Sequence, residues 1–389
     1  MLTSMLQGLS TGRSGPQVLR VPQKLRGPSM QIFQRAIRIL PFLFVLLSAC
    51  TSLERIEQRP GSLSIMSYNV ENLFDTEKDA DRNDYEYLPL SKKNTKEQKA
   101  YCAEQRSDFS RKACFEADWN SDVVHTKMTR ISKTLQQISG RGPDVLILLE
   151  VENLSVLKTL NEKYLKDFNY QTVVLLEGDD RRGIDIGVLS RLPLAGEAQL
   201  HRIEFTPDLN DKNWKKPLTR GILEVPLALP NGDTLFAYGL HFPSQANPVQ
   251  EREDAVNTLI KLMKSRGENA LTVAGGDFNI TEAENLKTGL FSKTLGSDFL
   301  VSHLVGCQTC EGSHYYRGEW SFLDALVFSK AFSSSSTGAW ELIPESIQTP
   351  KMGKYQLFED GSPARFSATH SVGVSDHLPV YGEIRPKQK

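Results

Sequence analysis

Apolar runs bounded by turn residues recur from residue 62 onward, and their period separates strands from helices. "SLSIMSYNV" (62–70), "YQTVVLLE" (170–177), "IDIGVLS" (184–190), "TLFAYGLHF" (234–242), "LTVAGGDFN" (271–279), "SFLDALVFS" (321–329) and "LPVYGEI" (378–384) read as strands. "DVLILLEV" (144–151) is a near-continuous apolar run and reads as a strand buried on both faces. Asn231-Gly232, between two apolar runs, signals a hairpin turn. The stretch 125–139 places Met128, Ile131, Leu135 and Ile138 on one face of a helix, and 153–168 and 248–267 repeat that spacing. Hairpins mixed with helical crossovers predict packed mixed sheets with helices outside, not one parallel sheet.

The pattern fails in two places. Residues 76–124 are highly charged with no convincing apolar period and read as a long surface insertion. The first fifty residues hold six basic residues and no Asp or Glu, and end in the apolar run "ILPFLFVLL" followed by "SAC". A basic region, a short apolar core and small residues describe a secretory signal. Nine apolar residues are far short of the ~20 that span a bilayer. Leu47-Ser48-Ala49-Cys50 resembles the bacterial lipobox, which implies cleavage before Cys50 and lipidation of its thiol, with Met30 as a natural start. The chain then divides into an N-terminal extension and signal (1–50), a polar tether (51–61) ending in Pro60-Gly61, and one domain (62–385) carrying the 76–124 insertion. The expected location is the cell envelope, lipid-anchored and on the outer rather than the inner membrane, with secretion as the alternative.

Composition is ordinary for a globular protein of 389 residues, 39% hydrophobic and 24% charged. Removing residues 1–50 lowers the basic count from 46 to 40 against 47 acidic residues, leaving about −7. A global basic excess, the usual footprint of a nucleic-acid binder, is therefore missing, and a polyanionic substrate would need a local basic patch. The four cysteines beyond Cys50 fall into neighbouring pairs, Cys102/Cys114 and Cys307/Cys310. An even remainder in an exported chain favours disulfides over half a zinc site or a redox pair.

Several strands end in a polar residue suited to a hard cation or a phosphate. Asn69 follows the first apolar run, Glu150 the run "DVLILL", His241 "TLFAYGL", and Asp277 and Asn279 follow "LTVA". Asp324 interrupts "SFLDALVF", and Asp376-His377 precede the last strand. Singly, each reads as a turn cap or a satisfied structural residue. Jointly they suggest a site, because an acid beside four consecutive Ile/Leu positions is costly to bury without a partner. Carboxylate and amide oxygens with few softer donors select Mg²⁺ or Mn²⁺. A hard cation with two histidines and an Asp/Asn pair fits phosphate-ester hydrolysis. Serine-based acyl transfer fits poorly, since no Gly-x-Ser-x-Gly elbow occurs.

Taken in order, "SYNVENLFD", "LLEVEN", "RRGIDIGVLS", "LHFPS", "GGDFN", "WSFLDALVFS" and "SDHLP" resemble the endonuclease/exonuclease/phosphatase superfamily, in its bacterial exported branch. The resemblance implies a deoxyribonuclease-I-like, four-layered α/β/β/α sandwich over about residues 62–385. It implies Glu150 as principal metal ligand with Asn69 and Asp376 in or near the metal shell. Asp277 would orient or deprotonate the attacking water, Asn279 hold the phosphate, and His241 donate to a phosphate oxygen. His377, paired with Asp324, would stabilise the transition state or transfer a proton. Tyr316 and Arg317 are expected as further phosphate contacts. Many relatives carry Asn-His-Trp where this chain has Leu240-His241-Phe242, a difference that bears on substrate contacts.

The leading expectation is a metal-dependent phosphodiesterase acting on nucleic acid as an endonuclease, outside the cytoplasm and tethered to membrane by its lipid; no protein partner is predicted. The same machinery on a phosphoinositide, sphingomyelin or another phosphoester is the alternative, and an inactive envelope binding lipoprotein a minor one.

Overall fold

The computed structural model describes residues 55–105 and 107–388. The expected signal, Cys50 and the first part of the tether lie outside the described residues. Among the described residues no helix is long and apolar enough to cross a membrane.

In chain order the strands are β1 (Leu63–Leu73), β2 (Val145–Val151), β3 (Thr172–Leu175), β4 (Asp185–Ser190), β5 (Gln199–His201), β6 (Ile222–Ala228), β7 (Thr234–His241), β8 (Leu271–Asp277), β9 (Phe299–Val301), β10 (His314–Tyr316), β11 (Glu319–Ser321), β12 (Asp324–Ser329), β13 (Trp340–Gln348) and β14 (Val380–Pro386). One six-stranded sheet has the order β13-β14-β1-β2-β4-β3, a second β5-β6-β7-β8-β12-β9, and β10-β11 form a small hairpin. Both large sheets are mixed: β1 runs parallel to β2 and antiparallel to β14, and β8 parallel to β7 and antiparallel to β12.

The sequence pattern explains the layering. Ile65, Val145, Ile147 and Leu149 of the first sheet pack directly on Val225, Ala237, Val273 and Leu326 of the second. The alternate residues Met66, Tyr68, Val70, Leu146 and Leu148 face the other way. They meet Met128, Ile131 and Leu135 of a helix, α3 (Ser121–Leu135), whose N-cap Asn120 accepts from the Asp122 and Val123 amides. On the outer face of the second sheet, Tyr238, Leu240 and Ala274 meet Ala255, Val256, Leu259 and Met263 of α5 (Val249–Ser265). The result is the expected α/β/β/α sandwich. Each fully buried Leu, Ile or Val in these layers contributes ~1.5–3 kcal/mol.

Some expectations change in detail. The segment 153–168 is helical only as α4 (Leu154–Thr159), then widens into a π turn over Leu160–Tyr164. Strand β13 lacks alternation because Glu341, Pro344 and Glu345 interrupt its apolar positions. It lies at a sheet edge, where a proline removes no interior ladder bond. The charged insertion is folded: α1 (Lys96–Ala103) and α2 (Asp108–Glu116) are joined by a Cys102–Cys114 disulfide that is fully buried. Cys307 and Cys310 are also bonded to each other.

Candidate active site

The site forms where the C-terminal ends of β1 and β2 open beside those of β7 and β8. β2 slips register between Leu149 and Val151, and β1 slips between Asn69 and Leu73. Glu150 takes a left-handed φ of 63° inside that irregularity, so its side chain leaves the strand's alternation and lines a cavity shared with the second sheet. The amide of Asn72 donates to Glu150 Oε2 at 2.9 Å, fixing the carboxylate. In the second sheet, ladder register alone sets His241 and Asp324 on either side of Asp277.

Glycine brings the two sheets together at this end. A Cβ on Gly239 would lie 2.4 Å from Ile186 Cγ2, and one on Gly275 2.9 Å from Ile147 Cδ1 and 3.2 Å from Ser67 Cβ. Without those side chains the first sheet approaches closely enough for Asn69 Nδ2 to reach Glu150 Oε1 at 3.3 Å and Asp277 Oδ2 at 3.4 Å. Asn69 thus turns its amide nitrogen toward both acids, while its oxygen accepts from the Glu71 amide at 3.0 Å.

Asp277 is the meeting point. Its Oδ1 accepts from the Asn279 amide at 2.8 Å. Its Oδ2 lies 3.6 Å from His241 Nε2 and 3.8 Å from His377 Nε2. Burial first, then the neighbouring Asp324 carboxylate, pushes the Asp277 pKa up to about 8. Asn279, itself left-handed at φ 54°, donates to the Phe242 carbonyl at 3.1 Å. His377 Nδ1 and Asp324 Oδ2 are 2.6 Å apart. Burial opposes charge on His377, yet Asp324, Asp277 and Asp376 outweigh it and raise its pKa well above the ordinary value. His241 goes the other way: burial, then the Arg220 and Arg182 guanidinium groups, hold it neutral. Two similar imidazoles are thereby given different charges by their surroundings.

The donor set fits a hard divalent cation. Glu150 is open to the cavity, and Asp277, Asp324 and His377 present donor atoms within 4.8 Å of one another, as do His314, Asp376 and His377. Because His377 Nδ1 is committed to Asp324 at 2.6 Å, that pair is spent on itself, and the Glu150 carboxylate, held by the Asn72 amide and facing the cavity, is the acid best placed for an ion. Asp376 is 3.4 Å from Arg365 Nη2.

The description Endonuclease/Exonuclease/phosphatase family matches residues 104–386. The chain belongs to that family. It is accordingly a hydrolase of phosphate ester bonds. The match starts within the insertion, so β1 with Asn69 lies before it. Solved structures similar to this chain include an endonuclease/exonuclease/phosphatase family protein from Bacteroides thetaiotaomicron (17% identity, 85% of this chain and 100% of that one, TM-score 0.49). A mannosyl-6-phosphatase from Bacteroides thetaiotaomicron VPI-5482 is also similar (17%, 83% and 99%, TM-score 0.49). So is the human Nocturnin catalytic domain (14%, 87% and 98%, TM-score 0.47). No curated protein matches the chain.

Of the family positions read from sequence, Asn69, Glu150, His241, Asp277, Asn279, Asp324 and His377 come together here. Tyr316 and Arg317 do not line the cavity. They occupy the turn end of the β10–β11 hairpin, Tyr316 exposed and Arg317 lying 5.1 Å over its ring. His314, two residues earlier on the same strand face, lies against the site instead: it bridges His377 across the chain, with its ring 4.8 Å from that of His377. The sequence reading also missed the supports behind the acids. Lys127, buried within the apolar stripe of α3, donates to the carbonyls of Glu71 and Val374. Arg365 binds the Glu71 carboxylate at 2.6 Å from a loop nearly 300 residues away. No spacing rule links these positions.

Proposed function

We propose that this protein is a divalent-metal-dependent phosphodiesterase acting on nucleic acid outside the cytoplasm, anchored through Cys50. The observation that supports the chemistry best is the convergence on Asp277 Oδ2 of Asn69, His241 and His377 beside the open Glu150 carboxylate. A Mg²⁺ or Mn²⁺ ion held by Glu150, with Asn69 and Asp376 near its shell, would supply Lewis-acid polarisation of a phosphoryl oxygen.

The remaining steps fall to side chains. Asp277, a stronger base than an ordinary carboxylate because its pKa is pushed up to about 8, orients the attacking water and accepts its proton, while the ester P–O bond breaks and the leaving oxygen takes a proton from solvent. His377, whose acidic neighbours raise its pKa and favour its charged form, is assigned the opposite role: it offers Nε2–H to the charge developing on the phosphorus oxygens. Neutral His241 donates a second hydrogen bond, and Asn279 holds a non-bridging oxygen. The net-acidic domain favours one second reading, the same chemistry on a smaller phosphoester.

A hydrolysis panel tests both: duplex and single-stranded DNA, RNA, a phosphoinositide and sphingomyelin, each with Mg²⁺, Mn²⁺ or EDTA. Metal-dependent cleavage of a nucleic acid, lost in Asp277→Ala and His377→Ala, is the expected result. Turnover confined to a lipid phosphate selects the second reading, and equal turnover by wild type and both variants removes the mechanism.

A further inference from the structure

The cavity that holds Glu150, Asp277 and His377 measures about 900 Å³, and only part of its lining is used by the chemistry above. The remainder is basic. The loop 176–184 contributes Arg181 and Arg182, and the loop before β6 contributes Lys215 and Arg220, against the two carboxylates Asp180 and Glu251.

Asp180 does not neutralise this group. It lies 3.0 Å from Arg220 Nη2 and 3.8 Å from Arg182 Nε. Arg220 Nε is buried, with no hydrogen-bond partner among the described residues, and so is Thr219 Oγ1 beside it. That unspent donor capacity stands directly behind the cavity wall, and the exposed guanidinium and ammonium groups of Arg181, Arg182 and Lys215 present N–H donors to the cavity itself, which suits a ligand with oxygen acceptors. Cations in excess of their partners indicate that this ligand is an anion.

The two loops are held in place before any ligand arrives. Asp179 N–H donates to the Thr219 carbonyl at 3.0 Å, and Arg182 N–H to Asp180 Oδ1 at 2.8 Å. The insertion braces them from outside: Arg82 donates to the carbonyls of Asp180 and Gly178 at 2.7 and 2.9 Å, and the Arg181 carbonyl accepts from the Asn83 amide at 2.6 Å. This gives the charged 76–124 segment a task beyond covering surface.

We propose that Arg181, Arg182, Lys215 and Arg220, with Thr219, form a second anion subsite that binds a phosphate carried by the substrate apart from the scissile one. The inference rests on the phosphoester reading of the neighbouring acids and names the substrate class: esters bearing at least two anionic groups. A nucleotide chain and a sugar bisphosphate both supply that chemistry.

The test is calorimetric titration of the Asp277→Asn protein in Mg²⁺ with two pairs of probes. One pair is thymidine 3′,5′-bisphosphate and thymidine 5′-monophosphate, the other fructose 1,6-bisphosphate and fructose 6-phosphate. In at least one pair the bisphosphate binds about tenfold tighter, and which pair does so separates the nucleotide from the sugar source. Adding Arg182→Gln and Lys215→Gln, both at solvent-accessible side chains, brings that ratio to near one. Equal affinities within both pairs, or a preference that survives the double substitution, overturns the subsite. Turnover by Asp277→Asn at the wild-type rate would instead sink the proposed mechanism, while the affinity ratio still decides the subsite.

Discussion

His377 and Asp324 form a buried pair, Nδ1 to Oδ2 at 2.6 Å, although 53 residues separate them. The Asp324 side chain has no solvent exposure, so the imidazolium carries most of the compensation for its charge. Asp324→Asn keeps the shape and removes the charge. Its kcat should fall on the order of 10³-fold, because His377 loses the carboxylate that holds its proton and ring orientation. Steady-state kinetics check this, with circular dichroism confirming the fold. A kcat within about threefold of wild type would mean the pair is structural only.

A cation at Glu150 and a proton on Asp277 oppose each other through charge. The folded Asp277 has a pKa near 8 against an ordinary 3.8. The folded state therefore keeps a proton that the unfolded chain releases, and the metal-free protein loses stability as pH climbs from about 4 toward 8. A cation nearby favours the ionised Asp277, so Mg²⁺ should raise Tm more at about pH 8.5 than at about pH 6. Glu150→Gln should abolish the rise at both. Differential scanning fluorimetry measures it, and a shift independent of pH in the wild type refutes the coupling.

Gly239 sits where the two sheets approach closely. A methyl group there would overlap Ile186 Cγ2 at 2.4 Å, and each of the two strands is ladder-bonded into its own sheet and cannot move aside alone. Gly239→Ala should cost about 1–3 kcal/mol in urea denaturation and lower kcat as well, since Asn69 and Asp277 sit on opposite sheets. Unchanged stability would show that the sheets yield at little cost.

Lys127 ties the end of β1 to the loop before β14. Its ammonium is fully buried, with a pKa drawn down to about 8 by that burial, and donates to Glu71 O at 2.6 Å and Val374 O at 2.8 Å. Lys127→Met fills the volume but leaves two buried carbonyls unpaired, which should destabilise the fold by about 2 kcal/mol. A chemical denaturation midpoint equal to wild type would contradict this.

Much of the layering was readable in advance because it depends on local pattern. The alternation in 62–70, the unbroken run of 144–151 and the helical stripe of 125–139 each have a period set by backbone geometry, and each found the expected layer. β13 was not readable, since an edge strand tolerates the proline and charges that disrupt its pattern. Tyr316 and Arg317 lie away from the cavity for a different reason: Tyr316 shares a strand face with His314 but stands two residues further along the hairpin, at its exposed turn, and only the bridge from His314 to His377 reaches the site.

The sequence by itself determined which residue types stand at the strand ends, because motifs such as "GGDFN" and "SDHLP" carry them within a few positions. It also determined that β2 would be buried on both faces. Only the tertiary structure decided how the two imidazoles are charged, since His241 faces Arg182 and Arg220 while His377 faces Asp324, and none of these is a sequence neighbour. Only it revealed the basic loops beside the acids in a chain whose net charge concealed them. Net charge sums over the whole surface, whereas a cavity responds to the few groups within reach of a Debye length, about 8–10 Å.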